Sequence, residues 1–177
     1  MRQLLLIRHA KSAWDDAALP DHARPLAPRG RRAAVAMRAA MRDLGLAPDM
    51  VMVSSARRTM QTLEALEPFE DTPLIEPLDA LYMATAPQLL QVLRGVPETV
   101  RSVLLIGHNP GLHDLALLLA GGRERLHGSP SLERLAERYP TGALAEFSIP
   151  GPWAGLDAGA ARLVRFLLPR DLAEQPG

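Results

Sequence analysis

Two periods of apolar and polar positions alternate along the chain. Leu4, Leu5, Leu6 and Ile7 form an unbroken apolar run that meets Arg8 and His9 directly. A run this short and this uniformly aliphatic reads as a strand buried on both faces, the kind found in parallel sheets. Residues 50–53 and 102–107 repeat the pattern. From Arg29 the spacing becomes helical, with Ala33, Ala34, Met37, Ala40, Met41 and Leu44 in register and Gly45 and Pro48 as stop signals. A second helix is expected over about 56–66, capped by Ser54 or Ser55 and ended by Pro68. A third follows Thr85, with Pro87 in its first turn and Leu89, Leu90 and Leu93 as its buried stripe. A fourth is expected over 112–120, ahead of Gly121 and Gly122, and a short one over 132–138. Pro20, Pro25 and Pro28 keep 21–28 out of helix. Residues 73–75 read as a small strand or an extended connection, and 79–83 fit neither period. The stretches 143–149 and 161–168 read as closing strands.

Strands alternating with helices predict βαβ units. The expected fold is α/β: a three-layer α/β/α sandwich with a mainly parallel central sheet. It is expected to occupy residues 1–170 as a single domain, with 171–177 a frayed tail. Composition changes this picture little. Lys+Arg and Asp+Glu both number 20, so no global charge points to nucleic acid or a membrane surface. There is no cysteine, which removes thiolate nucleophiles, disulfides and Cys-based metal sites. No secretory signal pattern and no apolar run of about 18 residues is visible, so the expected location is the cytoplasm, without a membrane span.

The chemistry lies where the apolar runs stop. Ligands of open α/β sheets bind outside the carboxyl ends of the strands. The first run ends on Arg8 and His9, the last on Gly107 and His108, and the middle one runs into Ser54-Ser55-Ala56-Arg57-Arg58-Thr59. Three such ends predict one basic pocket. Guanidinium groups hold phosphate oxygens in two-point geometry and stay charged at any working pH. A neutral imidazole beside a bound phosphoryl group is a competent nucleophile. This assigns His9 as nucleophile, with Arg8, Arg58 and a protonated His108 stabilising the charge that develops in transfer. Fixed cations do the work of a metal, so neither metal nor cofactor is expected. His113 lies five residues past His108, the wrong spacing for a helical metal pair.

These residues also carry a resemblance. Arg8-His9-Ala10 resembles the Arg-His-Gly signature of the histidine phosphatase superfamily, with alanine in place of glycine. The stretch from Ser54 to Thr62 resembles its second motif, in a register that gives Arg58 rather than Arg57 the phosphate-binding role. Gly107-His108-Asn109 resembles the third. With the short chain and Arg24-Pro25-Leu26, the sequence is most similar to SixA-type phosphohistidine phosphatases of this phosphoglycerate mutase-like group. The resemblance implies a phosphatase working through a phosphohistidine enzyme, on a phosphorylated protein or a small phosphorylated substrate. Ester-cleaving relatives carry an acid to protonate the leaving group; Asp79 is the first candidate here and Glu76 the second, in no clear motif match. Ser12 and Asn109 are further candidates to reach substrate, as is Thr141, although local caps or turns would use the same side chains. Trp14 reads as a stacking surface or a loop anchor. Two rivals stay open: a phosphomonoesterase of small metabolites, and a phosphate- or phosphoprotein-binding module without turnover. Nothing in the pattern sets an oligomeric state.

Overall fold

The structure, a computed structural model, describes residues 1–172. Strands β1 (Arg2–Arg8), β2 (Met50–Ser54), β3 (Leu74–Leu78), β4 (Ser102–Gly107), β5 (Leu144–Ile149) and β6 (Arg162–Leu167) form one sheet in the order β3-β2-β4-β1-β5-β6. The first four run parallel, and β5 and β6 join antiparallel at one side. Helices α1 (Pro28–Asp43), α2 (Arg57–Leu66), α3 (Ala86–Arg94), α4 (Gly111–Leu119), α5 (Pro130–Glu137) and α6 (Pro169–Leu172) cover the sheet. The expected sandwich is therefore present.

The two-residue period of the strands sorts the core into two layers. Leu5 and Ile7 of β1, Val51 and Val53 of β2, and Leu104 and Ile106 of β4 pack with Met37 and Met41 of α1 and Leu63 and Leu66 of α2. The alternate residues Leu4, Leu6, Val103 and Leu105 pack with Leu89 and Leu93 of α3 and Leu112 and Leu115 of α4. Leu4 to Ile7 are all fully buried, as expected of a strand between two helical layers. Burying each such side chain contributes about 1.5–3 kcal/mol.

Several local readings are refined. Thr85 caps α3 in a capping box with Gln88. Of the small strand or connection expected over 73–75, Leu74 and Ile75 open β3, an edge strand that tolerates Pro77 because an edge leaves a ladder donor dispensable. Beyond it, Asp79–Leu81 forms a 3₁₀ turn, and Met83 adopts φ 50°. The short helix expected over 132–138 starts earlier, with Ser129 accepting from the Leu132 amide. Fraying was expected from residue 171, yet Pro169–Leu172 is helical. Asp171 pairs with Arg134 of α5 at 3.1 Å, and Leu172 packs against the α1/α2 layer. Residues 173–177 of the expected tail lie outside the described residues.

One glycine fixes the approach of α4 to the loop after β3. A Cβ on Gly111 would lie 1.9 Å from the Ala84 carbonyl oxygen, which is backbone and cannot rotate away. Gly111→Ala is expected to cost about 1–3 kcal/mol of stability, read as a lower urea midpoint at unchanged slope. An unchanged midpoint would mean that the loop yields freely.

Candidate active site

The carboxyl ends of β1, β2 and β4 lie side by side, since Arg8 of β1 is in register with Gly107 of β4 and β4 also pairs with β2. The chain leaving β1 is held on both sides. The His9 amide donates to the Gly107 carbonyl at 3.1 Å, and the Ala10 amide to Thr62 Oγ1 at 3.0 Å. Thr62 in turn donates to the Arg58 carbonyl at 2.7 Å, and Gln61 Oε1 accepts from the Leu26 amide at 2.8 Å. Gln61 and Thr62 are thus the clamps that hold the β1 exit and the 21–28 segment against α2.

Arg8, His9, Arg58 and His108 meet in a cleft of about 290 Å³, lined also by Ser12, Asn109, Lys11, Trp14, Asp21, Arg24, Met83 and Thr141. The rings of His9 and His108 are 5.4 Å apart, centroid to centroid. His9 Nδ1 lies 2.8 Å from the Ala10 carbonyl oxygen. A carbonyl only accepts, so Nδ1 carries the ring proton and Nε2 keeps its lone pair. Arg8 donates from Nη1 to the Tyr139 carbonyl at 3.1 Å, and Asn109 Nδ2 to the same oxygen at 2.9 Å. The fully buried Tyr139 hydroxyl donates to the Leu6 carbonyl and accepts from the Ala145 amide, tying β1 to β5.

Ser54 was expected to cap α2, but the helix N-cap is Ala56, without a side-chain cap. The Ser54 hydroxyl instead lies 2.8 Å from His108 Nε2 and accepts from the Ala56 amide. His108 Nδ1 is buried without a partner, as are Arg8 Nε, Arg24 Nη1 and Arg58 Nε. These are four of the seven such atoms among the described residues, and all four belong to side chains lining this cleft. Unpaired buried donors are costly and rare. Here they are concentrated in the side chains that line one cleft.

Burial lowers the pKa of His9 to about 4, and the cations Arg58, Arg8 and Arg24 add to the effect. Burial, then His9 and Arg58, lowers that of His108 to about 3. In the unliganded protein both rings are therefore neutral at pH 7; the protonated His108 expected from the sequence belongs to the transfer step, with phosphate bound. Both folded values lie below the unfolded value of ~6.5. The stability gained by keeping the rings neutral is full above that value and is lost as pH falls through about 4 and about 3. In a nitrogen-detected NMR titration, His9 and His108 are expected to remain neutral at pH 5.5. Five rings titrating together near ~6.5 would contradict the buried pocket.

Asp79 and Glu76, the candidate acids, are not in the cleft. Asp79 is exposed at the start of its 3₁₀ turn, and Glu76 lies within β3, in register with Met52. Their turn delivers Tyr82 and Met83 to the site instead. The acid that does line the cleft is Asp21, which pattern reading passed over. Its Oδ2 accepts from Arg58 Nη2 at 3.0 Å and from the Tyr82 hydroxyl, and its Oδ1 from Arg24 Nε at 3.2 Å. These donors, Tyr82 first, hold its pKa at about 2. Arg24 was quoted as part of a motif but given no role; its guanidinium stacks 3.4 Å above the exposed ring of Trp14. A charged residue three positions from Asp21 in a Pro-flanked turn was the available signal. Among the described residues, no helix is long and apolar enough to cross a membrane.

Comparison with known proteins gives consistent results. The model of the histidine phosphatase superfamily (branch 1) matches residues 4–80. An uncharacterized protein of Mycobacterium tuberculosis (strain ATCC 25618 / H37Rv) is 36% identical over 169 residues, covering 93% of this chain and 100% of its own. A structure assigned to a phosphohistidine phosphatase SixA of Nakamurella multipartitia is 32% identical with a TM-score of 0.82, over 95% of this chain and 96% of that one. The protein histidine phosphatase SixA complexed with tungstate shares the fold at a TM-score of 0.77 and 24% identity, over 96% and 99% of the two chains.

Proposed function

The chain belongs to the histidine phosphatase superfamily and is a SixA-like phosphatase; from that premise we propose that it removes the phosphoryl group of phosphohistidine through a covalent intermediate on His9. Nε2 of His9 attacks phosphorus, and the substrate's P–N bond breaks as the new one forms. A phosphohistidine ring protonated on its other nitrogen leaves as neutral imidazole, so no strong acid is required. Water then attacks the phosphorylated His9, releasing inorganic phosphate and restoring the neutral ring. Arg8, Arg58 and His108 are the groups assigned to the three phosphoryl oxygens, whose charge rises during transfer. His108, whose Nε2 lies 2.8 Å from the Ser54 hydroxyl, is proposed as a hydrogen-bond donor to one of these oxygens. Ser12, Asn109 and Thr141 line the cleft and are proposed as its polar contacts to substrate.

The observation that carries the reading is the convergence of His9, His108, Arg8 and Arg58 on one cleft, with the two rings 5.4 Å apart. A carboxylate acid in the lining would favour ester substrates. Asp79 and Glu76 are elsewhere, and Asp21, with its pKa near about 2, is ionised and has no proton to give. That supports a reactive phosphoramidate over a sugar phosphate. The SixA assignment of the Nakamurella multipartitia relative points the same way, toward a phosphorylated protein as substrate. The test is a rate comparison across a phosphohistidine peptide, phosphoramidate and several sugar phosphates. The peptide and phosphoramidate are expected to lead; a clear preference for the esters would transfer the assignment to a phosphomonoesterase.

A further inference from the structure

We propose that Asp21 is a specificity-determining residue: a fixed carboxylate at the mouth of the cleft that disfavours substrates bearing a second anionic group beside the phosphoryl group and favours those presenting an N–H or a cation there. The inference rests on the phosphatase reading above and deepens it. Asp21 begins a 3₁₀ turn, Asp21–Ala23, and lines the cleft together with Arg58, Arg24 and Met83. Three donors from three segments fix its carboxylate: Arg58 Nη2 at 3.0 Å, Arg24 Nε at 3.2 Å and the Tyr82 hydroxyl. Even so, 49% of the side chain remains exposed. A carboxylate has about four acceptor sites, so one stays open on the solvent side.

Anchoring Arg58 does not by itself account for this group. The Asp21 main-chain carbonyl already accepts from Arg58 Nη1 at 2.8 Å. The added negative charge weakens a pocket built to attract phosphate, a cost that a neutral side chain would avoid. The charge has a use if it discriminates. Asp21 is the only acid among the described residues lining the cleft, surrounded by Arg8, Arg24, Arg58 and Lys11. Whatever leaves the phosphoryl group on the open side meets a held anion. A protonated imidazole can donate to it, whereas a carboxylate is repelled, and like-charge juxtaposition is a strong means of rejecting a wrong ligand.

The experiment separates this from phosphate binding itself. Methylphosphonate, aminomethylphosphonate and phosphonoacetate, which present a neutral, a cationic and an anionic group, are titrated calorimetrically into the full chain and into Asp21→Asn. The unaltered protein is expected to bind aminomethylphosphonate about tenfold or more tightly than phosphonoacetate. In Asp21→Asn the spread is expected to shrink to about threefold or less, mostly through tighter phosphonoacetate binding. Tyr82→Phe, which removes a donor but keeps the charge, is expected to retain the spread. A uniform change in all three affinities in Asp21→Asn would make Asp21 a tether for Arg58 and overturn the proposal. So would loss of the spread in Tyr82→Phe. If the unaltered protein bound none of the three, the phosphate pocket itself would be refuted, and this inference with it.

Discussion

His9→Ala is expected to lower kcat by roughly 10⁴–10⁶, the scale seen when a covalent nucleophile is removed. Among the described residues, the side chain of His9 hydrogen-bonds only to the neighbouring Ala10 carbonyl, so the fold does not depend on it. Circular dichroism and the urea midpoint are accordingly expected to stay close to those of the unaltered protein. The variant should also fail to acquire the acid-labile phosphoryl label that the unaltered protein takes up on brief exposure to phosphoramidate. Two results would remove the mechanism: turnover near the original rate, or a label of undiminished size on the folded variant. Loss of turnover with phosphate binding retained is the pattern that assigns His9 to the bond-making step rather than to affinity.

Arg58→Ala is expected to cost about 10²–10³ in kcat/KM, the usual effect of deleting one well-placed donor to a developing oxyanion. The side chain is buried, and its Nη1 and Nη2 bond to Asp21 while Nε remains without a partner. Its loss therefore frees the Asp21 carboxylate beside the phosphate site as well, which adds repulsion to the missing donor. Arg58→Lys restores the charge but not the planar fork, so it is expected to recover only part of the rate. A lysine variant as fast as the original would mean that charge alone suffices and that the two-point geometry plays no part.

The sheet and the four central residues were legible because each depended on a local pattern. Uninterrupted aliphatic runs mark strands buried on both faces, and in β1 and β4 the first charged side chains after the run are the ones the fold carries to the cleft. The remainder of the site comes from segments without a period. Asp21 and Arg24 lie between prolines, where composition announces a turn but not its direction. Tyr82 and Met83 follow a 3₁₀ turn whose sense is set by contacts with α4 and by Met83's left-handed backbone. Ser54 misled for a related reason. A serine before a helix is commonly its cap, yet the partner that claims it here, His108, lies 54 positions away. Asp79 was a candidate because ester-cleaving relatives carry an acid for the leaving group, yet here it opens an exposed 3₁₀ turn away from the cleft. The protonation state of His108 in the unliganded protein could not be read from residue types, since it is set by depth of burial, by His9 and by the guanidinium groups of Arg58 and Arg8 brought in by folding.

Tyr139 has a consequence for how such proteins diversify. One backbone carbonyl steadies Arg8 and Asn109, while the hydroxyl of the same residue rivets two strands together. The wall behind the reactive centre is thereby held independently of the exposed positions just before it, 123–125 and 127–128, which can exchange residues while Leu126 and Leu135 stay in the core. Relatives could vary that surface without disturbing the chemistry beneath it.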